Sequence, residues 1–87
     1  MNIEFDPHKA ISNINKHGIS FDEAASCLFD PSALVQEDHD AQGEQRWTLL
    51  GMSEQARLLT VIYTLRGDSI RLISARKSTT KEEAYYA

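Results

Sequence analysis

The spacing of apolar residues divides the chain into a helical first part and a stranded second part. Residues 3–5, "IEF", alternate as a short strand and stop at Asp6-Pro7. Asp6 can cap a helix and Pro7 can take its first position, where the missing N–H costs nothing, so a helix is expected over about 7–17, ended by Gly18. A second helix opens at "SFDE". Ser20 and Glu23 stand at capping-box spacing, and Phe21, Ala24, Ala25 and Leu28 follow at i, i+3, i+4 and i+7 on one face. Asp30-Pro31 closes it. From there the period falls to two. "ALVQED" at 33–38 reads as a strand, and "HDAQGE" as a polar loop turning at Gly43. "RWTLLGMS" (46–53), "RLLTVIYTL" (57–65) and "SIRLISARK" (69–77) are strands whose connections, "EQA" and "RGD", are short enough to force antiparallel neighbours. Thr79 and Thr80 each have a glutamate three residues on, two overlapping capping boxes that predict a short C-terminal helix bearing Tyr85 and Tyr86. The order β-α-α-β-β-β-β-α implies an α+β domain with helices on one face of an antiparallel sheet.

Eighty-seven residues suffice for one domain, 1–87, with one modest core. No apolar run approaches the ~20 residues of a membrane span, and the N-terminus lacks the basic-then-apolar pattern of a secretory signal. A soluble cytoplasmic protein without membrane contact is expected. The single cysteine, Cys27, excludes an internal disulfide and falls among apolar helix positions, as a buried inert thiol would.

The net charge of −4 argues against a nucleic-acid partner until it is resolved along the chain. Residues 1–45 carry two cations against nine acids, a net of −7, whereas residues 46–87 carry seven cations against four acids, a net of +3. Such asymmetry lets an acidic protein present a basic face that attracts phosphate. Between residues 46 and 77 there are six cations, five of them arginines, all within or beside strands. Arginine's planar fork grips phosphate in bidentate fashion and keeps its proton. In the last strand, alternation puts Ile70, Leu72, Ser74 and Arg76 on one side, and Arg71, Ile73, Ala75 and Lys77 on the other. Two readings stand: sheet arginines that solubilise the surface and guard edges, or a groove that binds phosphate.

The pattern "FDPHKAISNINKHGISFDEAA…FDPSAL…GEQRWTLLG…RLLTVIYTLRGDSIRLISARKST" resembles the BrnT family of bacterial type II toxins over nearly the whole chain, from Phe5 to about Thr79. Its segments "KHGISF", "EQRW", "YTLRGD" and "RLISARK" are far more specific together than singly. The resemblance implies a compact RelE-like fold, a ribonuclease that halts translation, and neutralisation by a BrnA-type antitoxin. The implied partners are that antitoxin and RNA, free or on the ribosome, with operator DNA reached only through the antitoxin. No cofactor is implied.

Metal-free RNA cleavage must activate a 2′-hydroxyl, stabilise the charge of the phosphorane and protonate the leaving oxygen. By similarity to RelE-like enzymes, Arg46 and Arg76 are assigned to the scissile phosphate, with Arg57, Lys77, Lys16 and Arg71 as supporting RNA contacts. His17, Glu44 and a tyrosine of the C-terminal helix, Tyr86, are the proton-transfer candidates. Plainer roles stand beside these. His17 suits a helix C-terminus, Glu44 can pair with Arg46, Trp47 alternates into the core with Leu49, Arg66 sits in a hairpin turn, and Tyr85 and Tyr86 can anchor the final helix. "DHD" at 38–40 has no further Cys or His at zinc-ligand spacing, so no metal site is expected. The acidic ending "TTKEEAYYA" supports a second class of function: a catalytically weak, toxin-derived interaction protein that binds its antitoxin and assists repression of its own operon.

Overall fold

The computed structural model describes residues 2–38 and 43–86. Helix boundaries follow the capping residues. The Asp6 carboxylate accepts the His8 N–H at 2.8 Å, opening α1 (Pro7–His17). Gly18 ends it in the left-handed region at φ 72°, its N–H donating to the Ile14 carbonyl at 2.8 Å. Ser20 Oγ accepts the Glu23 N–H at 3.1 Å to start α2 (Phe21–Ser26), which tightens into a 3-10 turn over Cys27–Phe29. Of the two overlapping boxes near the C-terminus it is Thr79 with Glu82 that closes, beginning α3 (Thr80–Glu83).

The strands are β1 (Asn2–Phe5), β2 (Leu34–Asp38), β3 (Arg46–Met52), β4 (Leu58–Arg66) and β5 (Ser69–Lys77), in the sheet order β1-β5-β4-β3-β2. Strands β2 to β5 form the expected antiparallel meander. The sheet is nevertheless mixed, because β1 pairs parallel with β5 from Asn2–Ser69 to Phe5–Leu72. Strand direction was legible only where tight turns dictate it, and β1 reaches its partner across most of the chain.

One face of the sheet carries the core. Ile19, Phe21, Ala24 and Cys27 pack against Leu49, Leu59, Val61, Tyr63, Ile70, Leu72 and Ala75, with Trp47 half-buried at the margin. Phe5 meets Phe21 edge to face, ring centroids 5.4 Å apart. Burial above all pushes the Cys27 thiol up to about 12, so it stays protonated. Gly51 lets the 3-10 turn approach β3: a Cβ there would lie 2.9 Å from Leu49 Cδ2 and 3.1 Å from the Cys27 carbonyl oxygen.

Strand β5 departs from strict alternation. Ile62 stands opposite Ser74 but Tyr63 opposite Leu72, so Ile73 is an extra residue in a bulge. Downstream the sides exchange. Ala75 joins Ile70 and Leu72 in the core, while Ser74 and Arg76 turn to the face that carries Arg71. This corrects the simple parity expected for residues 70–77. Strand β1 pairs only as far as Leu72, and Asn13 of α1 covers the outer edge of β5 at Ala75. Its Nδ2 donates to the carbonyls of Ala75 and Ile19, both at 2.9 Å, and its Oδ1 accepts the Ala75 N–H at 3.1 Å. The side-chain amide thus completes the sheet edge as a short strand would.

A second polar group is buried nearby. Glu23, 2 % exposed, accepts from Ser53 Oγ at 2.7 Å and from Arg57 Nε at 2.9 Å, while Arg57 Nη2 pairs with its other oxygen. This ties α2 to the β3–β4 turn. Hydrogen bonds from Arg57 hold the Glu23 carboxyl below its usual 4.5 against the pull of burial, aided by Ser53 and by the charge of Lys77.

Replacing Asn13 with alanine leaves three buried backbone groups without their partner and is expected to lower stability by about 2–4 kcal/mol, read from urea unfolding midpoints. Folding lowers the Glu23 pKa, so on acidification the unfolded chain takes up this proton first. The stabilisation is complete above 4.5 and drains away as pH falls through the lower folded value. Stability of the wild type should therefore fall more steeply below 4.5 than that of Glu23→Gln, in urea titrations run across that range; parallel curves would contradict this assignment.

Candidate nucleic-acid interface

The sheet face opposite the core is laid out in rows by the strand register. One row runs Glu4, Arg71, Thr64, Arg46, Asp38 across β1, β5, β4, β3 and β2, with Arg46 standing opposite Thr64 one step beyond the Trp47–Tyr63 pair. The next is Ser74, Ile62, Thr48, Gln36, and the third is Arg76, Thr60, Leu50, Leu34. Arg46, Arg71 and Arg76 therefore share one face, and Arg76 does so because of the bulge at Ile73.

Sharing a face is not the same as sharing one phosphate. With strands ~4.8 Å apart and a rise of ~3.4 Å per residue, Arg46 and Arg71 have Cα atoms roughly 10 Å apart, whereas Arg46 and Arg76 are roughly 16 Å apart. Arg46 and Arg71 can meet over Thr64. Arg76 addresses a separate point on the same surface.

Each guanidinium has a different setting. Arg71 Nη1 lies 3.7 Å from Glu4 Oε2. Arg46 Nε is buried and has no hydrogen-bond partner. Such an orphaned donor is uncommon in folded proteins. Beside it Thr64 Oγ1 donates to the Gln45 carbonyl at 2.7 Å, fixing the start of β3. Arg76 is engaged in bidentate fashion by Glu82, Nη1 to Oε1 at 2.7 Å and Nη2 to Oε2 at 2.9 Å. Those bonds chiefly, with burial opposing and the Thr79 N–H adding to them, hold the Glu82 carboxyl at about 2.

Helix α3 lies over the third row. Glu82 and Tyr85 border a groove of about 410 Å³ floored by Leu34, Leu50, Thr48 and Thr60. Tyr86 donates its hydroxyl to Asp30 Oδ2, which also accepts the Met52 N–H at 2.7 Å. The Tyr86 bond first, then the Met52 N–H, holds the Asp30 carboxyl below its usual range, and the same bond pushes the Tyr86 phenol up. Tyr86 is thus an anchor whose proton is held more firmly than usual.

The remaining sequence candidates lie elsewhere. Arg57 and Lys77 flank the core-side residues Leu59 and Ala75, and Arg57 is committed to Glu23. His17 and Lys16 end α1, and among the described residues neither hydrogen-bonds or ion-pairs with Arg46, Arg71 or Arg76. Glu44 pairs with Arg66 at 3.2 Å instead of with Arg46, both on the surface. His39 and Asp40 of the "DHD" stretch lie outside the described residues, among which no group of three or more His, Cys, Asp or Glu could hold a metal ion. Among the same residues no helix is long and apolar enough to cross a membrane. Sequence reading missed one partner on this face, Glu82. The capping-box spacing marked Glu82 as a cap, but its second bond, to Arg76, joins two elements and left no local signal.

The rows, the bulge and the two N-terminal helices can be compared with known proteins. The structure is similar to the crystal structure, at 1.1 Å resolution, of the Brucella abortus ribonuclease toxin BrnT, with a TM-score of 0.71 and 26% sequence identity, covering 92% of this chain and 99% of that one. No curated protein sequence matches it. The family model described as "Ribonuclease toxin, BrnT, of type II toxin-antitoxin system" matches residues 5–82. An α+β sheet of this order, matched in fold to a BrnT toxin and in sequence to the family model along most of its length, establishes that the chain belongs to the BrnT family of ribonuclease toxins.

Proposed function

We propose that this chain is a single-domain toxin that cleaves RNA on the open face of its sheet, without a metal ion, and so inhibits translation in the cytoplasm. The observation that carries this reading is the placement of Arg46, Arg71 and Arg76 on one face, with a buried Arg46 donor lacking a partner. Arg46 and Arg71 flank the scissile phosphate over Thr64 and stabilise charge developing on the phosphorane as the 2′-hydroxyl attacks. Arg76 holds a neighbouring phosphate of the same strand. Glu44, two residues before Arg46, is the proton-transfer candidate at this end of the face, and it must leave Arg66 to serve. A BrnA-type antitoxin neutralises the toxin, and operator DNA is reached only through that partner.

A second reading is favoured by the carboxylates that answer these arginines, Glu4 on Arg71 and Glu82 on Arg76. They lower the attraction for RNA, as expected of a weakly catalytic chain whose main role is to bind the antitoxin.

The two readings separate by mutation. Arg46→Ala and Arg71→Ala should each slow cleavage of a labelled RNA about 100-fold in the presence of a chelator, with far-ultraviolet circular dichroism unchanged. Arg57→Ala should do the reverse, lowering the urea midpoint of unfolding while its folded fraction cleaves at the wild-type rate. Undiminished cleavage by both Arg46→Ala and Arg71→Ala would exclude the arginine face as the site.

A further inference from the structure

A guanidinium of the sheet is closed off by a carboxylate from outside the sheet. Arg76 of β5 offers Nη1 and Nη2 to the two oxygens of Glu82 at 2.7 and 2.9 Å. The hydroxyl of Thr60, which stands opposite Arg76 on β4, lines the same groove as Glu82. Thr60 is buried and shares a 3.0 Å hydrogen bond with Ser78 Oγ, so its position is fixed by the sheet and not by the helix. A planar guanidinium beside a fixed hydroxyl is the donor set that suits two oxygens of a phosphodiester.

The anion that fills this cradle is weakly held by everything except the cradle. It comes from α3, four residues long with none buried. The side chains of the pair keep 39% (Arg76) and 28% (Glu82) of their surface in water, against 2% for Glu23 in its pair with Arg57. Apart from Glu82, α3 is tied down by the Thr79 cap and, just beyond it, by the Tyr86–Asp30 bond and by Tyr85 at the rim of the groove.

We propose that Glu82 is an internal stand-in for a substrate phosphate, occupying the Arg76–Thr60 cradle in the free protein and leaving it when RNA binds, so that α3 sets the affinity of the open face for RNA. This rests on the reading of Arg76 as a phosphate contact. The exchange replaces one singly charged oxyanion with another, so the donors of Arg76 remain satisfied before and after. What is given up is the order of α3 and the side-chain half of its capping box.

The test is Glu82→Gln in the full chain. Glutamine at this position still accepts the Thr79 N–H and preserves the capping box, but it removes the counter-charge from Arg76. Glu83→Gln removes an equal charge from the same short helix at an exposed position and reports the long-range effect alone. The probe is a fully 2′-O-methylated oligoribonucleotide, which cannot be cut by 2′-hydroxyl attack, and binding is followed by fluorescence anisotropy at fixed ionic strength. Glu82→Gln should bind about fivefold more tightly than Glu83→Gln, the fold-change of losing a competing ion pair of this exposure, and the gain should vanish in Glu82→Gln/Arg76→Ala. Equal affinities for the two glutamine variants, a gain that survives loss of Arg76, or no binding by Glu82→Gln would each overturn the proposal. Its failure is distinguishable from failure of the ribonuclease reading. A Glu82 effect in a chain that cleaves no RNA leaves the stand-in and removes the enzyme. Cleavage that depends on Arg46 and Arg71 without a Glu82 effect leaves the enzyme and removes the stand-in.

Discussion

One extra residue in β5 is the constraint on which the arrangement of this molecule depends. Without the bulge at Ile73, a strand delivering Ile70 and Leu72 to the core would deliver Arg76 there too, against Leu59 and Val61. Burying that guanidinium away from both water and an acid would cost several kcal/mol or more. The bulge lets one nine-residue strand supply Ile70, Leu72 and Ala75 to one side and Arg71 and Arg76 to the other. Asn13 holds it in place. By pairing with both backbone groups of Ala75, just past the irregularity, Asn13 fixes the register of the strand's second half and docks α1 with the same atoms.

Local chemistry made the elements legible and left their assembly dark. Asp6-Pro7, Gly18, Ser20 and the Thr79–Glu82 box placed the helix ends because caps act within a few residues. Tight connections gave the meander. The parallel pairing of β1 had no such signal, since its partner lies more than sixty residues away in sequence. The bulge was invisible for a different reason: neither glycine nor proline marks it, and a strand apolar on both sides in its middle fits either parity. The candidate site inherited these limits. Arg46, Arg71 and Arg76 were picked out by type and position, but which of the basic residues share a surface depends on the bulge and on the row pairing. Arg57 looked like the others until Glu23, thirty-four residues away, took it.

The charge asymmetry of the sequence resolves into pairing in space. The ion pairs Glu4–Arg71, Glu23–Arg57 and Glu44–Arg66 each join an acid of the first half to an arginine of the second. The net of −7 and the net of +3 are thus not two separate fields but halves of shared contacts, and the arginine face is less bare than its composition implies. An anionic ligand arriving there gains less from long-range attraction than from displacing particular carboxylates.

That distinction explains why ion pairs of like chemistry can serve opposite ends. Glu23 is enclosed by the core and by Ser53, and opening its pair with Arg57 would strand a buried charge, so that pair is part of the fold. Glu82 keeps enough contact with water that leaving Arg76 returns it to solvent at little cost, provided another anion takes its place. Arg76 is itself held on the sheet with Thr60 whether or not α3 is present, since strand pairing and not the helix determines where it points. A guanidinium fixed by the scaffold and neutralised by a removable carboxylate would meet a phosphate without any change in the sheet, and only α3 would have to move for the exchange to occur.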